Sequence, residues 1–512
     1  MKRPLAVSGF AVLIFTFILC ICSDISLSLL TALISYVLFT VSAVVPKMRK
    51  GYFLPTIMLS LFVASIMFYG MHTHYDKLSG LAGNNADIVC TVKEDPVFNK
   101  EYGRYYCKVK VITVDDKKYR GNIRLSFNNT YDNIDPDQLI IGNKLSFSGH
   151  LYKVGGDDRG IADYFKSENI YIGTYGVKNL EITENRIRPL GYYGNELRKF
   201  ISQNFRENFS PKTAGFLTAL LTGDKSYVSD EVYDSFKNSG TAHLMAVSGM
   251  HLTVLTMFIG LLLIKLRDKH KRLYMLLMSA FILFIMFTAS FSASVVRAGV
   301  MLLTLLTGRL IDRHSDSLNS LGFACLCIIA ANPFSVLSAG FLLSVFSTLA
   351  IIVSALPFCN KHRYFLCDRL GLKGRFSFPI SRAIMLSIVI SLCVMVYTLP
   401  IMAISFGTVS LISPLANLLF LPVTTVIITL AFVSAILCAF GIMPSLLTFI
   451  VEKISAYCLG VADLLGGTDR FVLKIDTPLE TTICFVFPFA LYLAIKTASY
   501  FYKKIKHKRK PL

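Results

Sequence analysis

The chain has 512 residues, 54% of them hydrophobic and only 16% charged, which excludes an ordinary soluble domain and leaves room for about ten apolar spans of about 20 residues. Its formal charge of +20 invites a nucleic-acid reading, but six short segments hold the whole excess. Residues 2–3, 47–50, 265–272, 309–316, 361–382 and 503–510 together carry 24 Lys and Arg against four acids. That is the bias that keeps Lys and Arg on the cytoplasmic side of a membrane, so net charge reports orientation and gives no independent support for a polyanionic partner.

MKRP followed by Leu5 to Cys22 imitates a secretory signal, yet no small-residue cleavage site follows, and we read it as an uncleaved first span. Spans near 5–22, 25–45 and 52–71 make an N-terminal membrane unit, 1–72, which leaves the following residues outside the cytoplasm. HTHYDK, His72 to Lys77, imitates the start of an HxHxDH metal pattern. Lys77 stands where the last His belongs, and the segment leaves a membrane helix instead of a strand, so no metal is expected there.

Residues 73–180 change texture, with short alternating runs at 88–92, 105–114, 123–127 and 144–151 between Asn, Asp and Gly clusters, the pattern of a small exported antiparallel β domain. Its charges nearly cancel. Tyr102, Tyr105, Tyr106, Tyr119 and Phe127 could stack nucleic-acid bases, and a purely structural barrel is the competing reading. Most of the twelve cysteines lie in apolar runs, where Cys behaves as a small hydrophobe, and Cys359 with Cys367 lack a zinc-like partner pair. Cys90 and Cys107 fall in the exported segment, where a disulfide is expected and two buried free thiols are the alternative.

Residues 181–240 form an amphipathic connector whose run Leu217 to Leu221 is too short to span and is placed at the outer interface. Gly223, Asp224 and Lys225 after it are candidates for an outer mouth, or simply a charged turn. A membrane core over 241–502 follows, with spans near 246–266, 273–290, 294–309, 318–331, 335–356, 383–404, 423–440, 445–465 and 482–500. With the first three these give about twelve spans and both termini inside, ahead of a basic cytoplasmic tail at 503–512. The alternation holds only if Val409 to Leu421, containing Pro414 and Asn417, does not cross. A re-entrant segment is expected there, because non-helical backbone at membrane depth is tolerated where it lines a cavity.

Chemistry concentrates at SGTAHLMAVSGMH, Ser239 to His251, which sets two histidines and two serines at the head of an apolar run. A polar residue inside a membrane helix is by default a functional-site hypothesis, with close helix packing as the plain alternative. This stretch resembles the signature of the ComEC family of competence membrane proteins. LLTGDKS at 220–226, SFSASVVRAG at 290–299, NPFSVLSAGFLLSVFSTLAII at 332–352 and LPIMAISFGTVSLISPLANLLFLP at 399–422 fit the same family in order.

The resemblance implies an OB-type (oligonucleotide-binding) barrel at 73–180, closing with GGDDRGIADYFKSENIYIGTY, and an inner-membrane channel that carries single-stranded transforming DNA. It also implies partners: membrane lipids, a cytoplasmic DNA-translocating ATPase, a surface DNA receptor, and further copies of the chain. Longer members continue into a metallo-β-lactamase-like domain proposed to degrade the other strand. This sequence stops at Leu512, so the expectation is either a separate nuclease or a shortened relative whose role in DNA uptake is open.

A strand crossing hydrocarbon needs a lumen of small and polar groups. His243, Ser248, Gly249, His251, Arg297, Ser344, Ser347, Pro414 and Asn417 are the candidate path residues. Arg297 is the most informative, since a central Arg costs roughly 2.5 to 3.5 kcal/mol on insertion scales, and snorkelling is its alternative. AVSGM is not the GxSxG elbow of a hydrolase, and the nearest acid is Asp224. No GxxxxGK[ST] loop, no catalytic residue, no metal and no cofactor is expected. The competing functions are a permease for another polar or lipid-linked substrate and an intramembrane hydrolase.

Overall fold

The computed structural model describes residues 3–22, 25–44, 53–311, 316–362 and 377–487, apart from 101, 133, 157, 476 and 478. The basic segments at 47–50 and 503–510, most of 361–382, and most of the expected span 482–500 lie outside the described residues.

Three apolar helices open the chain: α1 (Pro4–Cys22), α2 (Ile25–Val44) and α3 (Phe53–Ser79). The barrel follows, built from β1 (Asn85–Val92), β2 (Val97–Asn99), β3 (Arg104–Val114), β4 (Lys117–Lys118), β5 (Asn122–Phe127), β6 (Lys144–Lys153), α4 (Arg159–Ser167) and β7 (Ile170–Thr183). The connector holds α5 (Leu190–Asn208), α6 (Pro211–Thr222) and α7 (Asp230–Asn238). The core consists of α8 (Gly249–Leu262), α9 (Ile264–Lys269), α10 (Lys271–Thr288), α11 (Ala293–Leu310), α12 (Ser317–Ala331), α13 (Ala339–Ala350) continuing into α14 (Leu356–His362), α15 (Ser377–Phe406), β8 (Thr408–Ser410), α16 (Ser413–Ala439), α17 (Ser445–Gly466) and β9 (Val472–Lys474).

Among the described residues, nine helical stretches are long and apolar enough to cross a membrane, while α8 and α12 are shorter apolar helices of 14 and 15 residues. Alternation along the strands makes the barrel. On β6, Leu145, Phe147 and Leu151 point inward between more exposed neighbours, and Ile88, Cys90 and Val92 do so on β1. Hydrogen bonding runs β1-β6-β7-β5-β3, and a β1–β3 pairing closes the ring, so the sheet has no open edge at this seam. Every pairing is antiparallel except β5 with β7. Asp115 and Asp116, both at positive φ, form the tight turn that returns β3 to β4.

The barrel is welded to the membrane helices. α3 runs 27 residues, so its end leaves the apolar stretch and enters the barrel, where Leu78 is fully buried and Tyr75 meets Tyr171 edge-on at 5.4 Å. Lys166 sits over the rings of Tyr75 and Phe334 at 4.2 and 4.7 Å, and Asn332 Nδ2 donates to the Ser167 carbonyl at 2.7 Å. α1 crosses α12 through glycine. A Cβ on Gly9 would run into the Gly322 backbone, and one on Gly322 into Leu5 and Ala6. Small residues permit such approach where lipid removes the hydrophobic drive for helices to associate.

Three expectations are corrected. The segment 409–421 is not a broken re-entrant piece: β8 pairs with β9, and the rest is the first third of the 27-residue α16. Pro414 lies in the first turn of that helix, where its missing N–H costs nothing, so it starts the helix instead of breaking it. α6 is not interfacial, since Ala214, Leu217 and Leu220 are buried in the core cluster under α5, α16 and α17.

Cys90 and Cys107 are buried free thiols rather than a disulfide. Strand register is the cause. Cys90 stands opposite Val111, four residues from Cys107, whose Sγ reaches the Glu94 carbonyl at 3.1 Å.

Candidate functional site

The site begins where α7 ends. Gly240 takes φ +74°, and a Cβ there would come within 2.7 Å of the Ser413 Cβ, so the turn leans directly on the start of α16. The hydroxyls of Ser239 and Thr241, both buried, meet at 2.7 Å. Leu244 and Met245 anchor the next turn, while His243 is accessible to water. Protein nevertheless crowds it. Desolvation lowers its pKa, partly offset by a hydrogen bond with the Gly240 backbone.

Ser248 caps α8 with its backbone in the extended region. Its N–H donates to His251 Nδ1 at 3.1 Å, and its Oγ lies 2.8 Å from the same atom. A backbone donor makes Nδ1 an acceptor, so the neutral ring carries its hydrogen on Nε2. Nε2 is buried and has no hydrogen-bond partner among the described residues. A serine 2.8 Å from a histidine resembles a nucleophile and its base, but here Nδ1 is shared with the serine's own amide in a reciprocal helix cap. Asp224, the nearest acid in the sequence, is occupied elsewhere: its Oδ1 accepts from the Ser226 N–H and Oγ at 2.9 and 2.6 Å.

Arg297 enters from the first turns of α11 and is 8% exposed. Nε donates to Ser344 Oγ at 2.8 Å, Nη1 to Thr348 Oγ1, and Ser344 Oγ lies 2.9 Å from Ser294 Oγ. Among the described residues no carboxylate pairs with it and no hydrogen bond uses Nη2. That nitrogen lies only 2.9 Å from where a Gly249 Cβ would stand.

The structure therefore joins Ser248, Gly249, His251, Arg297 and Ser344, with His243 on the approach. It does not bring every expected residue to this cluster. Ser347 donates to the Ser344 carbonyl of its own helix at 3.1 Å, and Asn417 ties α16 to Ser391 of α15 at 2.7 Å. Pro414 stays at the α16 start beside the Gly240 turn. Gly223 caps α6 at φ +79° and stands 3.6 Å, by its missing Cβ, from Val247, so the expected outer mouth borders the site. Asp224 closes the turn after it, and Lys225 lies 4.6 Å over the Tyr233 ring. Ser294 and Thr348 went unnoticed in the sequence. The signal was present, since they lie one helical turn from Arg297 and from Ser344 respectively.

Apolar helices around an interior that carries hydroxyls and a buried cation mark a polytopic membrane protein. The family model described as competence protein matches residues 220–499, a range that includes Gly223, the α8 cap and Arg297. The chain belongs to that family, the ComEC family of competence membrane proteins. It is 26% identical over 305 residues to ComE operon protein 3 of Bacillus subtilis strain 168, a match covering 58% of this chain and 36% of the relative. No solved structure matches it.

Proposed function

We propose that this protein serves DNA uptake in competence as the inner-membrane route for a single strand, with no hydrolysis of its own. One observation carries the reading: Arg297 is buried among hydroxyls in the membrane core with no acid beside it among the described residues. Such a cation costs a few kcal/mol, which a fixed carboxylate would offset at the expense of blocking anions. A passing phosphodiester offsets it only while present. The hydroxyls of Ser294, Ser344 and Thr348 gathered at Arg297 would replace water for the strand without forming a deep trap.

The barrel's ring order and its single parallel pairing support the OB reading. They support it as a scaffold more than as a grip. Of the five aromatics expected to stack bases, Phe127 is fully buried, Tyr105 lies on Phe127 at 5.5 Å, and Arg124 covers Tyr106 at 3.6 Å. Tyr119 is packed against the core, and Tyr102 alone is exposed, at 63%. The alternation of basic segments supports cytoplasmic termini and an extracytoplasmic barrel. A cytoplasmic ATPase would supply the drive, with a surface receptor upstream. Deleting the gene tests the reading. Labelled DNA should still bind the cell surface and fail to reach the cytoplasm, and undiminished passage would overturn it.

A further inference from the structure

Resting on the uptake reading, we propose that the first turn of α8 and the free edge of Arg297 form a seat for one phosphodiester oxyanion of the strand, and that Gly249 is glycine because a side chain there would push the guanidinium away from that turn. Four observations converge. The first amides of a helix lack intrahelical partners, and no described group accepts a hydrogen bond from Gly249 or Met250 N–H. That end of the helix is electropositive and binds oxyanions readily.

Second, and independently, Arg297 points an unpaired Nη2 at this same positive end while 8% exposed. Two positive groups facing each other without an acid are mutually repulsive, and an anion between them reverses the sign. Third, Gly249 begins an ordinary helix and does not have a positive φ, so its backbone does not demand glycine. Space does: a Cβ would stand 2.9 Å from Nη2 and 3.0 Å from the Ala298 Cβ. Fourth, Ser248, Gly249 and Met250 are partly open, whereas Leu252 is fully buried, so only the head of the helix meets accessible space. Ser248 and His251 are positioning residues that hold this turn by their mutual cap.

The ligand chemistry is a singly charged, tetrahedral oxyanion, shared by nucleic-acid phosphodiesters and by phospholipid headgroups. We assign it to the strand, because Arg297 is 8% exposed and donates to Ser344 and Thr348, which places its guanidinium between α11 and α13.

The test uses full-length protein in a neutral detergent, with fluorescent oligothymidylate as probe and either dimethyl phosphate or a short-chain anionic phospholipid as competitor. Wild type should bind the oligonucleotide, and dimethyl phosphate should displace it. Gly249→Ala should weaken binding about tenfold, the effect of one charge-assisted hydrogen bond, while staying folded, with a melting temperature lowered only by the tight contact with Ala298. Met257→Ala, on the exposed side of the same helix, should bind as wild type. If Gly249→Ala does not fold, Arg297→Gln carries the test with the same expected loss.

Wild-type affinity in a folded Gly249→Ala or Arg297→Gln protein overturns the seat. Binding of phospholipid without oligonucleotide overturns its assignment to the strand. The two levels separate cleanly. A variant with normal binding in cells that still take up DNA removes the seat alone, whereas a working seat in a protein whose deletion leaves uptake intact removes the uptake reading alone.

Discussion

The barrel and the membrane core each bury a cation, and they treat it in opposite ways. In the barrel, Lys108 has 11% of its side chain exposed and lies between Glu94 and Glu168 at 3.2 and 3.0 Å. Burial pushes its pKa down, but the two carboxylates outweigh that and hold it above the ordinary lysine value. In the core, Arg297 is as well shielded and has hydroxyls for partners, with no acid among the described residues. The closed pair stands where water is near and an open charge would be cheaper. The open charge stands where it costs most. On the uptake reading proposed above, the costlier cation is left unneutralised for something that comes and goes.

Changing the core cation should give the largest effect. Arg297→Leu should reduce DNA uptake per molecule of membrane protein by about a hundredfold, since it removes both the charge and two hydrogen bonds, each worth about a factor of ten. Arg297→Lys should retain more uptake than Arg297→Gln, because a point charge still attracts the phosphate backbone. If Arg297 merely snorkelled, Lys would match Arg, and Gln would lower abundance with uptake per molecule intact. Counting surface-bound DNA separately keeps the two outcomes apart.

A core change without charge should behave differently. Gly322→Leu forces a side chain into the α1 backbone and should cost about 1 to 3 kcal/mol through overpacking, seen as several-fold lower abundance in the membrane. Uptake per surviving molecule should be near normal. A large loss per molecule at full abundance would mean that the N-terminal helices belong to the path and that the core cannot be treated as a separate region.

On the barrel side, Lys108→Met leaves Glu94 and Glu168 facing each other. Both carboxylates are about half exposed, so the cost is about 1 kcal/mol, read as a lower unfolding temperature of the detergent-solubilised protein by circular dichroism. The sign with pH follows from the raised pKa. Lysine's contribution is fully present below its unfolded pKa of about 10.4 and is lost as pH rises through the higher folded value. Wild type and variant should therefore differ by a constant amount around neutrality and converge only in strong alkali. Convergence in mild acid would show that the carboxylates govern the pair.

How much of this was legible in the sequence differs between the same two regions. Apolar run lengths and the alternation of the strands announced helices and barrel, because both follow from local periodicity. Register did not, since spacing along the chain cannot show that Cys90 faces Val111 while Cys107 reaches Glu94. Alkylation under denaturing conditions should accordingly find two free thiols. Pro414 misled for a related reason: proline at the start of a helix and proline at a break look alike until the helix is seen. Arg297 could be singled out because charge in an apolar run is conspicuous. Its hydroxyl partner Thr348 was harder to single out despite its helical spacing, because a threonine in such a run usually satisfies itself on its own backbone, as Thr348 also does at the Ser344 carbonyl, 2.9 Å away, while accepting from Arg297.

The smallest expected effect belongs to Ser248→Ala, and it separates a helix cap from a catalytic serine. The hydroxyl contributes the 2.8 Å contact to His251, but the Ser248 backbone N–H makes its own bond to the same nitrogen at 3.1 Å and survives the substitution. His251 should therefore keep its tautomer and orientation, and the helix should lose only a side-chain cap, about 0.5 to 2 kcal/mol. Abundance should fall modestly and uptake per molecule should stay within about twofold, since the amides of Gly249 and Met250 still face the path and a twofold change corresponds to well under 1 kcal/mol. A nucleophile behaves otherwise: its removal typically abolishes nearly all activity, by about a millionfold in a serine hydrolase. Ser248→Leu sharpens the contrast by filling the space before those amides, and should reduce uptake where alanine does not. Abolished uptake in Ser248→Ala at normal abundance, with Ser248→Leu active, would mean that the core performs chemistry on its substrate. Arg297 would then be an electrostatic partner to a reaction rather than a station on a route.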